Sequence, residues 1–280
     1  MGVWHLHDDF NDSTSESNNG TNSGSADDTG KMANAQYFDS VDDLYTGTNP
    51  TMANASAVTI SAWIKPDSGQ TDWGGILEYR DSAAGWETVF EVKSTRKFSF
   101  GVWTDTWYNL ESTAVVPTTG FSHVVGVYNG SNQKTYLDGQ LDNTSGSITG
   151  NLRNNNRPFH IGRNPGDLVT FNGTIDEVRI SNVARSPEWI EAEHNNQKTD
   201  STFYVIDDDW VGPCWDANYA YRKKIRITAG SADIPADYSV SVTLDHAALV
   251  SAGKSLASGD DLRVVHWDGS SWTEIDRVLE

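Results

Sequence analysis

The sequence predicts an all-β protein, in which an antiparallel jelly-roll sandwich precedes part of a second β-sandwich domain. Ten or more short runs with the alternation of strands recur along the chain, and clusters of Gly, Asn, Asp and Pro separate them. Asn129-Gly130 and Asp138-Gly139 each stand between two such runs and indicate tight hairpins. One segment, 186–194, has a helical pattern. Many short strands at this spacing are typical of sandwiches and jelly rolls.

The first predicted strands follow from alternation and from β-branched or aromatic residues. In chain order they cover residues 3–10, 58–66, 75–80, 89–93, 97–103, 122–128, 133–137, 159–162 and 173–180. Asn, Asp, Ser, Thr and Gly dominate residues 11–30, which predicts a long polar loop. The one predicted helix has Ser186 as its N-cap, Pro187 at its first position and Glu188 in its first turn.

The character of the sequence changes near residue 206. Asp207-Asp208-Asp209 and Gly212-Pro213 predict a linker. Further strands are predicted over residues 219–228, 238–244, 262–267 and 272–279. Four or five strands without closing partners are marginal as a free sandwich. We therefore expect a first domain at residues 1–205, and the front part of a second β domain at residues 206–280.

Charge and composition exclude several classes of partner. The chain has 39 Asp and Glu against 20 Lys and Arg, a net charge of −19. Such a surface disfavours nucleic acids and anionic membranes and attracts divalent cations. No run of about 18 apolar residues predicts membrane insertion. The single cysteine, Cys214, allows no internal disulfide. We expect an excised fragment, because no signal peptide precedes the first strand.

The segment 171–180, FNGTIDEVRI, contains the most informative candidate residue. Strict alternation places Asp176 on the same face as Val178 and Ile180, which are expected to point inward. Glu177 and Arg179 then lie on the opposite face. A carboxylate among buried apolar neighbours is costly unless a cation or hydrogen-bond donors satisfy it. Asp176 is therefore a candidate site residue.

Several segments together resemble one known family, the LamG-like jelly rolls with the concanavalin A-like lectin/glucanase fold. In order, these are 3–6 (VWHL), 12–21, 58–66 (VTISAWIKP), 123–130 (HVVGVYNG), 136–139 (YLDG) and 171–186. The resemblance covers about residues 3–195. Residues 215–225 and 258–264 resemble a secreted family of unknown function that often neighbours LamG-like domains. The domain order is reversed here, which indicates a window from an alternating tandem array.

The resemblance implies a structural calcium ion (Ca²⁺). In LamG-like jelly rolls this ion joins the strand that carries the equivalent of Asp176 to the N-terminal loop. The matching residues here are Asp176, Asp12 and Asn18, with Asp8 or Asp9 as substitutes for Asp12. Carboxylates and loop carbonyls are suitable calcium ligands. The alternative is that Asp176 caps backbone amides at a bulge and that the loop is only solvated.

Aromatic residues between positions 70 and 110 suggest a ligand surface. Trp73, Trp86 and Trp107 stand beside turn residues, where indole rings can stack on the apolar face of a sugar. The alternative is that tryptophans fill the space between two sheets about 10 Å apart. Trp63 is expected in that core, with Trp103 as a further candidate.

Catalytic motifs are weak. Glu274, Asp276 and Glu280 share a predicted strand face, but their spacing is one residue too long for the paired carboxylates of a retaining hydrolase. Glu87 and Glu91 also share a face if their strand is regular. The histidines are scattered along the sequence and indicate no catalytic triad. His5 and His7 lie on the same face of one predicted strand, where they could bind a soft metal ion or simply be packed or solvated. We expect no catalytic residues.

The predicted function is therefore a non-catalytic extracellular module of a prokaryotic surface protein, for recognition of a glycan or surface protein or for adhesion. Two alternatives stay open. One is a polysaccharide hydrolase or lyase. The other is a self-assembling array, in which the incomplete C-terminal sheet of one chain is completed by the N-terminal strand of the next.

Overall fold

The computed structural model describes the ordered strands and most connections of the first 198 residues, and shorter pieces thereafter. The described residues are 2–7, 9–41, 43–48, 52, 54–81, 85–153, 158–165, 169–198, 204–207, 223–227, 242, 244–258, 262–267 and 270–275. Within this part of the chain, every helix is too short or too polar to cross a membrane.

The first sheet has eight strands among the described residues. They are β1 (Gly2–Trp4), β3 (Ala26–Thr29), β4 (Asn34–Asp39), β6 (Val58–Pro66), β11 (Ser122–Tyr128), β12 (Gln133–Leu137), β13 (Gln140–Thr144) and β17 (Asn172–Ser181). Their order is β13-β12-β11-β6-β17-β4-β3, and β1 also pairs with β17. All described pairings in this sheet are antiparallel.

The second sheet has nine strands within the described ranges. They are β2 (Gly20–Ser23), β5 (Asp43–Thr48), β7 (Gly74–Asp81), β8 (Gly85–Val92), β9 (Phe98–Trp103), β10 (Trp107–Glu111), β14 (Pro158–Ile161), β15 (Arg163–Asn164) and β16 (Val169–Thr170). Their order is β10-β9-β8-β7-β14-β5-β2, with β15 paired to β16 and β16 running parallel to β7.

The core lies between the two sheets, because alternate residues of each strand point inward. Val58, Ile60, Ala62 and Ile64 of β6 and Phe98, Phe100 and Val102 of β9 belong to one buried apolar cluster. The same cluster contains Trp4, Phe38, Phe90, Phe159 and Phe171. The predicted antiparallel jelly-roll sandwich is thus confirmed.

The predicted helix is also confirmed. Helix α1 (Pro187–Gln197) begins after Ser186, whose side chain accepts a hydrogen bond from the Trp189 backbone N–H. The helix covers the outer face of the first sheet, where Ile190 packs with Val125, Val127 and Tyr136 in a second buried cluster. One outer face of the sandwich is therefore buried as well as the core.

Trp63 corrects one expectation. It is 2% exposed, but it alternates with Ala62 and Ile64 and so points away from the core, toward α1. Its indole Nε1–H donates to Gln197 Oε1 at 2.7 Å, and its ring lies 5.5 Å from the ring of His194. Because α1 covers this face, a buried tryptophan here does not belong to the inter-sheet core.

The inward position expected for Asp176 is also wrong. Asp176 pairs with Trp63, whereas Arg179 pairs with Ser61, so a β-bulge follows Asp176. Glu177 occupies this bulge with a positive φ of 51°. The extra residue shifts the alternation. As a result Ile175 is in the core and Asp176 lies on the outer side with Trp63.

Two further expectations are wrong. The predicted loop at 11–30 contains β2 and β3, because its short polar strands pair at the sheet edges with β5 and β4. The chain also has a second helix, α2 (His246–Ser251), where only one helix was expected. Its N-cap, Asp245, is a local helix signal that was overlooked because the preceding residues alternate like a strand.

Besides α2, the described tail residues form two strand pairs. Strand β18 (Tyr204–Asp207) pairs with β19 (Lys224–Ile227), and β20 (Val264–Trp267) pairs with β21 (Trp272–Ile275). Strands β19, β20 and β21 agree with predicted strands at 219–228, 262–267 and 272–279, whereas β18 was not predicted. Most of the predicted linker and of the strand at 238–244 lies outside the described residues. The domain boundary at 205 stays a prediction.

Candidate functional site

The outer face of the second sheet carries an unusual set of acidic side chains. Phe90 and Val92 of β8 point into the core, so Glu87 and Glu91 point to the opposite side. On β7, Leu77 and Tyr79 enter the core and Glu78 points outward. We name this surface the acidic face, defined by Glu78, Glu87, Glu91, Trp103 and Trp107.

The three glutamates are buried although they lie outside the core. Their exposed fractions are 0% for Glu78, 2% for Glu87 and 3% for Glu91. Glu78 pairs with Val89, which stands two residues from Glu87 and from Glu91, and a bulge interrupts the β7–β8 pairing on each side of this position. Buried carboxylates oppose folding unless they are paired or hydrogen-bonded. A cluster of this kind on a sheet surface is therefore a candidate functional site.

Two of these carboxylates have identified partners. The Ser99 hydroxyl donates to Glu91 Oε1 at 3.0 Å. Arg153 Nε lies 3.9 Å from Glu87 Oε1. His160 of β14 pairs with Glu78 in the sheet and extends the polar row across the surface. The acidic face thus presents acceptors held in place by strand register and by neighbouring donors.

Two tryptophans stand at one end of the acidic face. Trp103 and Trp107 flank the β9–β10 hairpin, and their ring centroids are 6.4 Å apart with an interplanar angle of 39°. The Arg153 guanidinium carbon lies 5.0 Å from the Trp103 ring centroid. The Trp107 ring lies over Gly101, because a Cβ added there would overlap it. Rings, acids and a guanidinium therefore meet at this end.

The structure separates the predicted ligand residues. Trp107 belongs to the acidic face, and the backbone of Trp86 lies in β8 beside Glu87, with its side chain outside the described residues. Trp73 precedes β7 at the opposite end of the sheet, about 17 Å away at the usual strand rise. Trp73 is 41% exposed, and Lys93 Nζ lies 4.4 Å from its ring centroid.

Sequence reasoning missed Glu78, Trp103 and Arg153 as site residues. Each comes from a different element, and strand register or loop position brings it to the acidic face. Alternation predicted Glu87 and Glu91 on one face if their strand is regular; both are buried, but the β7–β8 register shifts next to Glu87. The signal for Glu78 was the same alternation in β7, but its pairing with β8 is not readable from one sequence.

Asp176 occupies a second polar site. It is 0% exposed, and its Oδ2 accepts hydrogen bonds from the backbone N–H groups of Lys31 at 2.6 Å and Met32 at 2.9 Å. Burial, helped by the negative charge of Glu177, raises the pKa of Asp176 to about 7. Its Oδ1 is buried and has no hydrogen-bond partner among the described residues. That oxygen fits a cation ligand.

Asp12 and Asn18 fit a calcium ion less well than Asp176. Asp12 Oδ1 accepts from the backbone N–H groups of Val3 and Thr14, and Oδ2 accepts from the Thr14 hydroxyl and from the backbone and side-chain nitrogens of Asn18. Burial raises the pKa of Asp12, but the donors outweigh it and lower the pKa overall. Both oxygens are thus already engaged.

Asn18 has a structural role in the same loop. Its backbone carbonyl accepts from the Trp4 indole Nε1–H at 3.0 Å, which ties the loop to the core. The described residues contain no group of three or more His, Cys, Asp and Glu side chains that would hold a metal ion. Asp12 and Asn18 therefore organise the N-terminal loop in this arrangement. Calcium binding at Asp176 stays a prediction.

Comparison with solved structures supports the fold. Domain 4 of AbnA, an extracellular arabinanase from Geobacillus stearothermophilus solved with arabinotriose, has a TM-score of 0.57 at 20% identity, over 68% of this chain and 95% of that one. The binding domain of Paraclostridial Mosquitocidal Protein 1 has a TM-score of 0.57 at 13% identity, over 70% of this chain and 51% of that one.

A third similar structure is the binding domain of Botulinum Neurotoxin DC in complex with SialylT. Its TM-score is 0.57 at 13% identity, over 75% of this chain and 53% of that one. This chain thus spans about half the length of the two toxin structures. Among curated proteins, no similar sequence was found.

A family profile described as the concanavalin A-like lectin/glucanases superfamily matches residues 38–191, which is more than half of the chain. The matched segment includes β6 to β17 and all of the acidic face. The two antiparallel sheets, the core between them and this match agree, and the chain belongs to the concanavalin A-like lectin/glucanases superfamily.

Proposed function

We propose that the jelly roll is a non-catalytic recognition module that binds a glycan at the tryptophan end of the acidic face. The observation that carries this proposal is the position of Trp103 and Trp107 beside Glu87 and Arg153. A sugar ring has an apolar face and a polar rim. Paired indoles match the face, while the Arg153 guanidinium, which lies beside the buried Glu87, matches the hydroxyl rim.

The similar structures support a binding role rather than a reaction. The AbnA domain was solved with arabinotriose, and one botulinum neurotoxin binding domain was solved with SialylT. Another structure of that neurotoxin domain contains rat synaptotagmin II, so a protein ligand is consistent with this fold. We favour a glycan here because the paired rings suit the apolar face of a sugar and the Arg153 guanidinium suits its hydroxyls.

A glycan array with the full chain tests this function. We expect binding to at least one neutral oligosaccharide, and loss of that binding in Trp107→Ala. Trp73→Ala is the matched control, because Trp73 is a solvent-accessible tryptophan that lies at the other end of the sheet. Equal binding by both variants and the parent chain would exclude the tryptophan end as the glycan site.

A polysaccharide hydrolase is the second candidate function, and the three buried glutamates favour it. Diagonal neighbours on paired strands have backbones about 7–8 Å apart. An inverting glycosidase needs two carboxyls about 6.5–9.5 Å apart with a water between them, a spacing that glutamate side chains from such positions can reach. Release of reducing ends from β-glucans, lost in Glu87→Gln, would establish this activity. Its absence across a polysaccharide panel supports the binding role.

We also propose that the module works outside the cell, as part of a tandem-domain surface protein. The acidic net charge of the chain is compatible with a role in a protein exposed at the cell surface. Among the described residues, the tail contains two sheets of only two strands each, β18–β19 and β20–β21. Sheets of two strands are only marginally stable by themselves. A further strand from another chain would stabilise them. Concentration-dependent polymers in analytical ultracentrifugation of the full chain test this self-association.

A further inference from the structure

A second cleft lies on the opposite side of the sandwich, where α1 begins over the first sheet. Its volume is about 120 Å³. We name it the arginine cleft. Its polar and aromatic lining consists of Thr59, Ser61, Arg179, Ser181, Arg185 and Trp189. These side chains come from β6, β17 and the segment that leads into α1, so the cleft depends on how the helix docks on the sheet.

Arg179 is held rigidly at the floor of the cleft. One terminal nitrogen lies 2.6 Å from Glu177 Oε2, and the other lies 3.2 Å from Glu193 Oε1. Burial raises the pKa of both carboxyls, but Arg179 and the neighbouring His5 or His123 outweigh it and lower the pKa overall. Both glutamates are therefore ionised at neutral pH and fix the guanidinium.

Arg185 forms the second wall. Its guanidinium carbon lies 4.5 Å from the Trp189 ring centroid, and one terminal nitrogen donates to the Ser181 hydroxyl at 3.4 Å. The backbone N–H of Arg185 donates to Thr59 Oγ1 at 2.9 Å. A guanidinium that stacks on an indole keeps its plane, so its N–H edge stays oriented.

The lining carries cationic and hydroxyl side chains, and the carboxylates of Glu177 and Glu193, which pair with Arg179, lie outside it. The protein has a net charge of −19, yet the described residues that line the cleft include two arginines, three hydroxyl side chains and no Asp or Glu. Planar guanidinium groups bind carboxylates through two parallel hydrogen bonds. The Ser181 hydroxyl adds one further donor, because Thr59 and Ser61 already donate to the Val183 carbonyl and to Glu193 Oε1.

We propose that the arginine cleft binds the carboxylate of an acidic sugar or of a small organic acid. One water occupies about 30 Å³ of liquid, so the cleft has room for about four. That space suits a carboxylate with a few attached carbons, so an acidic sugar would enter by its carboxylate end. The Trp189 ring would contact the apolar part of the ligand. This site is independent of the acidic face, which belongs to the other sheet.

Nuclear magnetic resonance of the indole N–H groups tests the proposal on the full chain labelled with 15N-tryptophan. Trp189 is assigned by Trp189→Phe. Titration with glucuronate should shift the Trp189 signal saturably, whereas glucose should not. Acetate identifies the source of the carboxylate: a shift with acetate indicates a small-acid site, and a shift with glucuronate alone indicates an acidic sugar. Equal shifts with glucose, or none with either acid, would overturn the proposal.

Two arginine variants complete the test. Arg185→Gln should weaken the binding of the effective acid about ten-fold or more, because it removes a charge-assisted hydrogen bond. Arg153→Gln is the matched control: Arg153 also stacks on a tryptophan, but on the other sheet. It should leave the Trp189 titration unchanged. If Arg185→Gln lacks the dispersed spectrum of a folded chain, Arg185→Lys replaces it; weaker acid binding is still expected, because lysine keeps the charge but lacks the planar guanidinium fork.

The two proposals fail independently. Loss of neutral glycan binding in Trp107→Ala concerns the acidic face, and the acid titration concerns the arginine cleft. A chain that binds no glycan but still shifts Trp189 with an acid keeps the second site. Unchanged acid binding in a folded Arg185→Gln would instead exclude the arginine cleft, whatever the glycan array shows.

Discussion

Asp176 lies opposite Trp63 in the pairing of β17 with β6, and both side chains stand on the outer face of the first sheet. The bulge at Glu177 produces this arrangement, because two residues of β17 stand against Ala62 alone. The polar groups of Asp176, Glu177 and Arg179 therefore face the β3–β4 turn, the N-terminal strand and α1. The bulge connects three distant parts of the chain to one strand.

Glu177 should be the most important ionised group of this region for stability. Its carboxylate lies 2.6 Å from His5 Nδ1 and 2.6 Å from Arg179, and it accepts from Gln197 Nε2 at 3.1 Å. Removing one partner of a buried ion pair leaves the other charge uncompensated. We expect Glu177→Gln to lower the free energy of unfolding by about 3 kcal/mol, measured by urea denaturation at pH 7.

The pH dependence of this loss has a definite sign. The pKa of Glu177 in the folded chain is below its ordinary value of 4.5, although burial alone would raise it. Its contribution to stability is thus present above pH 4.5 and is lost as the pH falls. The difference in the free energy of unfolding between the parent chain and Glu177→Gln should therefore become smaller as the pH is lowered. Glu16→Gln, in the exposed loop, should change little at any pH.

Asp176 should show the opposite pH dependence. Its pKa rises from 3.8 to about 7 on folding, mainly through burial, so the folded chain binds a proton that the unfolded chain releases. The stabilisation that comes from this bound proton is fully present below pH 3.8 and is lost as the pH rises through 7. Asp176→Asn retains an oxygen acceptor without a charge. We expect its melting temperature relative to the parent chain to increase between pH 5 and pH 8.

Calcium provides a separate test of the same carboxylate. A cation at the buried Oδ1 would compensate the ionised form and displace the proton, so its effect should grow with pH. Addition of 10 mM CaCl₂, about ten thousand times a micromolar dissociation constant, should raise the melting temperature of the parent chain more at pH 8 than at pH 5. Asp176→Asn should show no rise. An unchanged parent chain at pH 8 would exclude calcium here.

The sequence predicted elements whose signals are local. Ser186-Pro187 fixed the start of α1, and Asn129-Gly130 marked the turn between β11 and β12, because capping and turn chemistry depend on a few adjacent residues. The positive φ of Glu177 has no such signal, since glutamate rarely adopts this conformation. Strict alternation therefore assigned Asp176 to the wrong face.

The candidate site was predicted only in part, for a related reason. Alternation placed Glu87 and Glu91 together, and the turn beside Trp107 suggested exposure. Glu78 and Trp103 joined them through strand pairing, which depends on long-range register. Trp63 was misplaced because its strand is buried on both faces, so apolar residues there do not report a single inward side.

Substitutions at two glycines can test the acidic face and the core separately. A Cβ on Gly101 would overlap the Trp107 ring and approach Val89, both on the outer face of the second sheet. A Cβ on Gly126 would instead overlap the Phe100 ring in the core. The two substitutions add the same methyl group to central strands, but on opposite surfaces of the sandwich.

We expect Gly101→Ala to weaken glycan binding about ten-fold, or about 1.4 kcal/mol, because the displaced Trp107 ring no longer lies beside Trp103. Its stability should change little, since Trp107 is half-buried on an edge strand and can rotate outward. Gly126→Ala should lower stability by about 1–3 kcal/mol through overpacking and leave glycan affinity intact in the folded fraction. Isothermal titration calorimetry and urea denaturation separate the two effects. Parent-like affinity in Gly101→Ala, with a changed Trp107 indole signal, would show that the ring position does not matter for glycan recognition.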